Sequence, residues 1–234
     1  MTAPSSFTQR GNALWFILIA IVLLGSLTVL ITRSGSSVSQ SGDVEQNRIK
    51  VSSLMRYAKG IEIAVDQMKA RGVSENQISF KNTITATDYT NTNCTTPDCE
   101  IFSASGGGQT YSVTPNMNDG SDWIFTGANN VGTTAGPIGT TAAGTGNDLI
   151  MLLPNVSADL CQQINRELDV GTPGTIPQDI GITTTAFTGS YAASLSILEG
   201  DAALVELNNK TAGCFIDTGP NPDIVYFYFV LLAR

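Results

Sequence analysis

Histidine is absent from this 234-residue chain, and charged residues are scarce. Without histidine the chain lacks the most common general base, the usual partner of a serine or cysteine nucleophile and the most common ligand of transition metals. Charged residues make up 14% of the chain, whereas an average soluble domain has about 25%. We therefore predict that the chain is not an enzyme and that it uses no cofactor and no metal.

The few charges are unevenly distributed along the chain. Residues 1–72 hold eight Lys/Arg and four Asp/Glu, whereas residues 73–234 hold four Lys/Arg and sixteen Asp/Glu. The net charge of −8 is thus the average of a part with +4 and a part with −12. Because binding to a phosphate backbone needs clustered cations, the acidic part argues against nucleic acid as a partner.

One long apolar run lies near the N-terminus. Residues 11–32 contain no charge and are bracketed by Arg10 and Arg33. At about 1.5 Å per residue such a run spans the ~30 Å hydrocarbon layer of a bilayer. It predicts a transmembrane helix over residues 12–33 behind a short basic leader, residues 1–11; a buried core helix is the alternative.

Residues 34–72 are predicted to form a linker and an amphipathic helix. The Ser/Gly-rich stretch 34–42 favours a flexible linker over a continuation of the first helix. From Asp43 onward, apolar or small residues recur at spacings of three, four and seven, which predicts a helix with Asp43 as N-cap and Gly72 as its stop. The residues of this stripe are Val44, Val51, Leu54, Ala58, Ile61, Val65 and Met68.

After Gly72 the pattern changes to short apolar runs separated by Gly, Pro, Asn and Asp, which is typical of strands and turns. The exception is Ser157–Leu168, where a serine cap and three apolar residues spaced by four predict a helix. The closing run, Ile224–Leu232, predicts a central buried strand because it is too short to cross a bilayer as a helix. The other predicted strands are Gln77–Phe80, Thr110–Thr114, Trp123–Thr126, Leu149–Leu153, Ser194–Leu198 and Ala203–Leu207.

The predicted fold class is therefore α+β. A long N-terminal helix, first transmembrane and then amphipathic, is followed by a β-rich globular head over residues 73–234. Within the head, the Gly/Thr-rich stretch 127–146 is predicted to be a surface loop.

All four cysteines lie downstream of the apolar run. Their even number, without histidine, is more easily explained by two disulfide bonds than by a metal site, which predicts that residues 73–234 are outside the cytoplasm. The dipeptide Pro97-Asp98 favours a turn that could close a small disulfide loop between the first two cysteines. Four cysteines nevertheless allow three connectivities. The cysteines are Cys94, Cys99, Cys161 and Cys214.

The dipeptide Arg10-Gly11, directly before the apolar run, resembles the processing site of type IV pilin-like proteins. The resemblance covers roughly the first 70 residues: a short basic leader, an apolar helix and an amphipathic extension. It implies that a prepilin peptidase cleaves after Gly11 and leaves Asn12 as the first mature residue. Gly25 then matches a glycine that the family often has midway along the apolar segment.

This chain departs from the family pattern at two positions. It has Asn12 where the family usually has an apolar residue, and Phe16 where the family usually has a glutamate. The absence of that glutamate is familiar in some minor, initiating or tip subunits of the family.

The resemblance implies a structural subunit of a type IV pilus or a type II secretion-like pseudopilus, and a single-pass protein of the bacterial inner membrane. Its partners would be other pilin-like subunits, the assembly machinery, the prepilin peptidase and membrane lipid. The resemblance also implies a disulfide loop from Cys161 to Cys214, like the C-terminal loop common in pilins. The alternative function is a signal-anchored extracytoplasmic binding module or adhesin.

Three further groups of residues have a possible chemical role and a simpler interpretation. Loops 116–122 and 217–223 carry oxygen ligands that suit calcium, but neither has EF-hand spacing, so Asx-type turns are favoured. Glu199 and Asp201 could act as a pair of carboxylates, but a solvated turn is favoured.

Overall fold

The computed structural model describes residues 12–113, 115–132, 137–140, 146–194, 196–200 and 205–234, with the side chains of the first helix described over residues 14–29 and 44–70. The chain divides into two compact units, Met1–Gln46 and Asn47–Arg234. Two short 3₁₀ helices, Glu75–Gln77 and Pro97–Cys99, accompany the main elements. In chain order the main elements are α1 (Asn12–Ala70), β1 (Ile124–Val131), β2 (Asp148–Pro154), α2 (Ala158–Leu168), β3 (Gln178–Asp179), β4 (Ile197–Leu198), β5 (Ala212–Asp217) and β6 (Ile224–Leu232).

The predicted transmembrane helix is not found. Among the residues that the structure describes, no helix combines the length and the apolarity needed to cross a membrane. The predicted fold class, a transmembrane and amphipathic helix ahead of a β-rich head, is therefore wrong. The predicted location, a single pass through the inner membrane with the C-terminal part extracytoplasmic, is wrong for the same reason.

Helix α1 is continuous through the stretch 34–42, where the composition favoured a flexible linker. Asp43 is accordingly not an N-cap, because the backbone is helical on both sides of it. At the other end Gly72 has φ +93° and its N–H donates to the carbonyl of Lys69 at 2.9 Å. Glycine adopts this left-handed conformation without steric cost, so Gly72 ends the helix as predicted.

The second part of α1 buries one face against the body of the unit Asn47–Arg234. Six of the seven residues of the predicted stripe have exposed fractions of 0–1%, and Val44, at 37%, is the exception. Residues spaced by three and four lie on one side of a helix, which is why this stripe forms a continuous buried face. The buried residues are Val51, Leu54, Ala58, Ile61, Val65 and Met68.

A six-stranded sheet forms the centre of this unit, with strand order β3-β5-β6-β2-β1-β4. Strand β6 pairs antiparallel with both β5 and β2, and β2 pairs antiparallel with β1. The two-residue strands β3 and β4 add parallel to the outer strands β5 and β1. Ile224–Leu232 is thus a central strand, as its unbroken apolar sequence predicted.

Both faces of the sheet are covered, which explains the unbroken apolar sequences of its central strands. Because side chains alternate between faces, Phe227 and Phe229 of β6 join the core that contains α1 and α2, whereas Tyr226 and Tyr228 join a second core on the opposite face. Strand β2 divides in the same way. A strand buried on both faces needs apolar residues at every position.

The short elements agree with the prediction less well. Gln77–Phe80 is not a strand but the end of a 3₁₀ helix followed by one isolated bridge between Ser79 and Glu100. The described residues of Thr110–Thr114 and Ala203–Leu207 are not strands either. Strands β3 and β5 were not predicted. Helix α2 was predicted, and Ser157 is its N-cap.

Candidate assembly surface

Every side chain that the structure describes in the first part of α1 is exposed. This part, residues 14–29, is called the apolar surface below. Twelve of its side chains are large and apolar, with exposed fractions from 40% at Ile19 to 72% at Leu14. Soluble proteins rarely leave a large continuous apolar patch uncovered, so this surface is a candidate contact surface.

The apolar surface extends around the whole helix. Successive residues of an α-helix are about 100° apart, so the unbroken apolar run from Leu14 to Leu24 reaches every side. The hydroxyls of Ser26 and Thr28 donate to the helix carbonyls of Leu23 at 2.9 Å and Leu24 at 2.5 Å. A helix that is apolar all round is normally buried on all sides, so one flat contact would not cover this surface.

The residues of the expected processing site lie at the edge of the described chain. Arg10 and Gly11 fall outside the described residues, and Asn12 is the first residue of α1. Phe16, at the position of the family's glutamate, is 63% exposed and contributes to the apolar surface. Around Gly25, a Cβ would meet no atom within 4 Å.

Two disulfide bonds are present, which confirms the prediction made from the number of cysteines. Cys94 and Cys99 are joined with a Cα–Cα distance of 5.6 Å, and Cys161 and Cys214 with 5.4 Å. The first closes a small surface loop around Pro97. The second lies in the core, where both of its cysteines are fully buried.

The buried disulfide and a pair of hydrogen bonds link α2 to the sheet. Asn165, one turn after Cys161 on α2, donates its side-chain amide to the carbonyl of Cys214 at 2.9 Å and accepts the N–H of Cys214 at 2.8 Å. These two hydrogen bonds pair both ends of a buried amide beside the covalent link. The helix is therefore fixed to β5 by covalent and polar contacts together.

The two loops considered for calcium use their oxygen atoms in local turns. Asp119 accepts the N–H and the hydroxyl of Ser121, and Asp217 accepts the N–H of Gly219 at 3.0 Å. In the described part of the chain no group of three or more Asp, Glu, Cys or His side chains is placed to hold a metal ion. Of the carboxylate pair Glu199 and Asp201, Asp201 lies outside the described residues.

Two buried aspartates tie neighbouring segments together. Asp148 accepts the N–H of Val131 at 2.9 Å and of Arg234 at 3.0 Å, and burial raises the pKa of its carboxyl group. Burial likewise raises the pKa of Asp179, which accepts the N–H groups of Glu199 and Gly200, both at 2.9 Å. Because these carboxylates are occupied by backbone donors, their role in the structure is to connect strands.

Four of the five exposed isoleucines in the described part of the unit Asn47–Arg234 lie on α1 or beside the short strands, and none was singled out in the sequence. Ile49 and Ile63 are 64% and 45% exposed on α1, and Ile180 and Ile197 are 76% and 38% exposed beside the short strands. The first two are fourteen residues apart on the side of the helix opposite the predicted stripe, so the helical spacing contained a signal for them. Nothing comparable in the sequence indicates the other two.

The chain was compared with protein-family models, with curated proteins and with solved structures, and none of the three comparisons finds a match.

Proposed function

We propose that this chain is a structural subunit of a filament of the type IV pilus or type II secretion-like pseudopilus class, assembled through the apolar surface of α1. The observation that carries the proposal is the exposure of twelve large apolar side chains on all sides of one helix. The occupants of this surface are the corresponding helices of other subunits, because several helices can surround one another. The assembly machinery and a prepilin peptidase are its further partners.

The energetics favour a contact on several sides over a single pairwise one. Complete burial of one large apolar side chain contributes roughly 1.5–3 kcal/mol, whereas bringing two proteins together costs roughly 4–15 kcal/mol. A contact that covers two or three side chains would therefore hardly offset the cost of association. Neighbours that cover most of the apolar surface would exceed it clearly.

A charge placed on the apolar surface tests the proposal. Leu18→Asp should abolish filament formation by the full chain, because an unpaired carboxylate would have to be buried among apolar helices. Assembly is measured by sedimentation velocity and by negative-stain electron microscopy of filaments. Leu18 is 61% exposed, and Ile84, in the unit Asn47–Arg234, is 60% exposed. Ile84→Asp is thus a matched control, and it should assemble normally.

Two results would contradict the proposal. One is a wild-type chain that stays monomeric at all concentrations tested. The other is a Leu18→Asp variant that forms the same assemblies as the wild type.

The processing step has a separate test. When the full chain is produced together with an active prepilin peptidase, mass spectrometry should find Asn12 as the first residue. Gly11→Val should block this cleavage, whereas Gly25→Ala, a change at a glycine remote from the cut, should leave it unaffected. An intact Met1 on the wild-type chain in the presence of the active peptidase would show that the processing claim is wrong.

A further inference from the structure

The outward side of the second part of α1 carries an arginine between two exposed isoleucines. Ile49, Arg56 and Ile63 follow one another at intervals of seven residues. Each interval shifts the direction of the side chain by only about 20° around the helix, so the three residues form one line, called the outer stripe below. Arg56 follows Leu54 of the buried face by two residues, which places it about 200° away around the helix. The outer stripe therefore faces away from the core.

Arg56 has no counter-charge in the described part of its own chain. Lys59 pairs with Glu62 and Lys69 pairs with Glu75, at 2.5 and 3.0 Å. Within the same described residues the guanidinium of Arg56, in contrast, makes no ion pair or hydrogen bond. An exposed cation flanked by apolar side chains has the composition of a protein contact, since arginine is enriched in the energetically dominant parts of interfaces.

A groove beside β3 and β4 has the complementary composition. It has a volume of about 380 Å³, and its lining includes Ile180, Ile197, Asp179 and Glu199 but no lysine or arginine among the described residues. The groove is called the acidic groove below. Outside the apolar surface, large apolar side chains in the described chain are seldom exposed, yet this groove holds two of them.

Internal hydrogen bonds hold the acidic groove in shape and leave one carboxylate available. Both oxygens of Asp179 accept backbone N–H groups, from Ile180 at 2.7 Å and from Glu199 and Gly200 at 2.9 Å. The carboxylate of Glu199 makes no ion pair within the described residues. Glu199 is thus the group in this groove that can meet a cation from outside.

We propose that the outer stripe of one copy of this chain docks in the acidic groove of a second copy, with Arg56 paired to Glu199 and an isoleucine of the stripe against Ile180 and Ile197. The occupant is a second copy because both complementary surfaces belong to this chain. Charge supports the same choice: residues 73–234 carry a net −12, to which the basic helix of another copy is attracted. The isoleucines flank Arg56 on both sides, so either direction of docking brings one of them to the groove.

The contact joins two different surfaces, and this determines the kind of assembly. A contact between unlike patches leaves the same two patches free at the ends of the assembly, so it continues as an open chain unless the rotation closes a ring. The inference thus rests on the proposed function in its choice of a filament, while its residues lie entirely outside the apolar surface. The two can therefore fail separately.

Photo-crosslinking locates the contact. A photoreactive phenylalanine derivative is introduced at Ile49 or at Ile63 in the full chain, and ¹⁵N-labelled and unlabelled copies are mixed before irradiation. Crosslinked peptides should join the stripe of one copy to residues 178–200 of a copy with the other label. The same probe at Ile84, outside both surfaces, should give no crosslink to residues 178–200. The inference is overturned if neither stripe position crosslinks to residues 178–200 of another copy.

A charge exchange tests the pairing itself, in a Leu18→Asp background in which the apolar surface no longer supports filaments, so that association through the outer stripe is measured alone. Arg56→Glu and Glu199→Arg should each weaken association at least about tenfold, because each places like charges together. The double variant should recover association to within about threefold of the background. Lys81→Glu, a charge reversal outside both surfaces, should have no effect. All four should keep the unfolding midpoint of the background, since the changed side chains are outside the core.

The outcomes separate this inference from the proposed function. If the double variant fails to recover, the pairing of Arg56 with Glu199 is wrong even when assembly depends on Leu18. If Leu18→Asp leaves assembly unchanged but the crosslink and the charge exchange behave as expected, the outer stripe contact stands and the role of the apolar surface is wrong.

Discussion

The two described parts of helix α1 are opposite in their relation to the rest of the protein. Residues 14–29 expose large apolar side chains on every side, whereas between Val51 and Met68 the apolar side chains form one fully buried face. The first part is apolar at almost every position, and the second alternates apolar and polar residues with a helical period. One continuous helix thus holds a segment whose described apolar side chains are exposed and a segment that is stabilised within its own chain.

The angular width of the apolar part of a helix determines whether a single core can bury it. An apolar stripe of about 100° matches the surface of a single core, so the second part is satisfied by the sheet and its neighbouring loops. A helix that is apolar all round cannot be satisfied by one core. Under the proposed function, the free energy of burying the side chains of residues 14–29 is released when neighbouring subunits surround the helix.

An aspartate introduced in the two parts of α1 should give the largest difference in the free energy of unfolding. Ile61→Asp places a carboxylate at a fully buried position, which should lower the free energy of unfolding by more than about 4 kcal/mol. Leu18→Asp should change it by less than about 0.5 kcal/mol, because Leu18 is exposed. Trp123, which is 1% exposed, reports unfolding of the unit Asn47–Arg234 by its fluorescence in denaturant titrations.

Assembly should respond to that pair of changes in the reverse sense. Leu18→Asp should fold and fail to form filaments, whereas Ile61→Asp should lose most of its folding stability. Equal losses of folding stability in the two variants would show that residues 14–29 are buried within the chain, and the comparison would be wrong.

Removing a disulfide bond should affect only the unit Asn47–Arg234, because both bonds lie in that unit. The Cys161–Cys214 bond spans 53 residues and the Cys94–Cys99 bond spans 5, and loop entropy alone assigns them about 4 and about 2 kcal/mol. Replacing Cys161 and Cys214 by alanine should therefore destabilise the unit Asn47–Arg234 about twice as much as replacing Cys94 and Cys99 by serine.

Exposure gives the disulfides a second readout in the native state. A mild reductant should open the surface bond first, because Cys161 and Cys214 are fully buried. Thiol alkylation followed by mass spectrometry measures the order. Reduction of the buried bond first, or a larger loss of stability without the surface bond, would contradict the structure.

The sequence contained enough to predict the elements that depend on long patterns. The helical period from Val51 to Met68 and the unbroken apolar run of β6 identify both elements, because each pattern repeats several times. Strand β3 has two residues, which is too short for any period, whereas β4 lies within the predicted strand Ser194–Leu198. Strand β5 contains Gly213, and glycine is depleted in strands.

The composition of the N-terminal run does not identify the molecules that surround it. Its length and apolarity predicted a membrane-spanning helix, but apolarity states only that water is unfavourable, not which molecule replaces it. The isoleucines at positions 49 and 63 could have been found from their spacing of fourteen. Ile180 and Ile197 line one groove because the segments beside β3 and β4 lie close together, where the hydroxyl of Ser196 donates to the carbonyl of Gly181. This groove could therefore be found only from the structure.

The smallest expected effects come from two glycines, one within the first part of α1 and one just after its second part, and they have opposite signs. A Cβ at Gly25 would meet no atom within 4 Å, so Gly25→Ala should stabilise the helix by about 0.5–1 kcal/mol through the lower flexibility of alanine. Gly72 has φ +93°, a conformation that costs an alanine roughly 1–2 kcal/mol. Gly72→Ala should therefore lower the unfolding free energy reported by Trp123, whereas Gly25→Ala should leave that signal unchanged and raise the helical circular dichroism. If Gly25→Ala shifted the Trp123 transition as strongly as Gly72→Ala, the two parts of α1 would be one cooperative unit, and the independence on which the comparison depends would be lost.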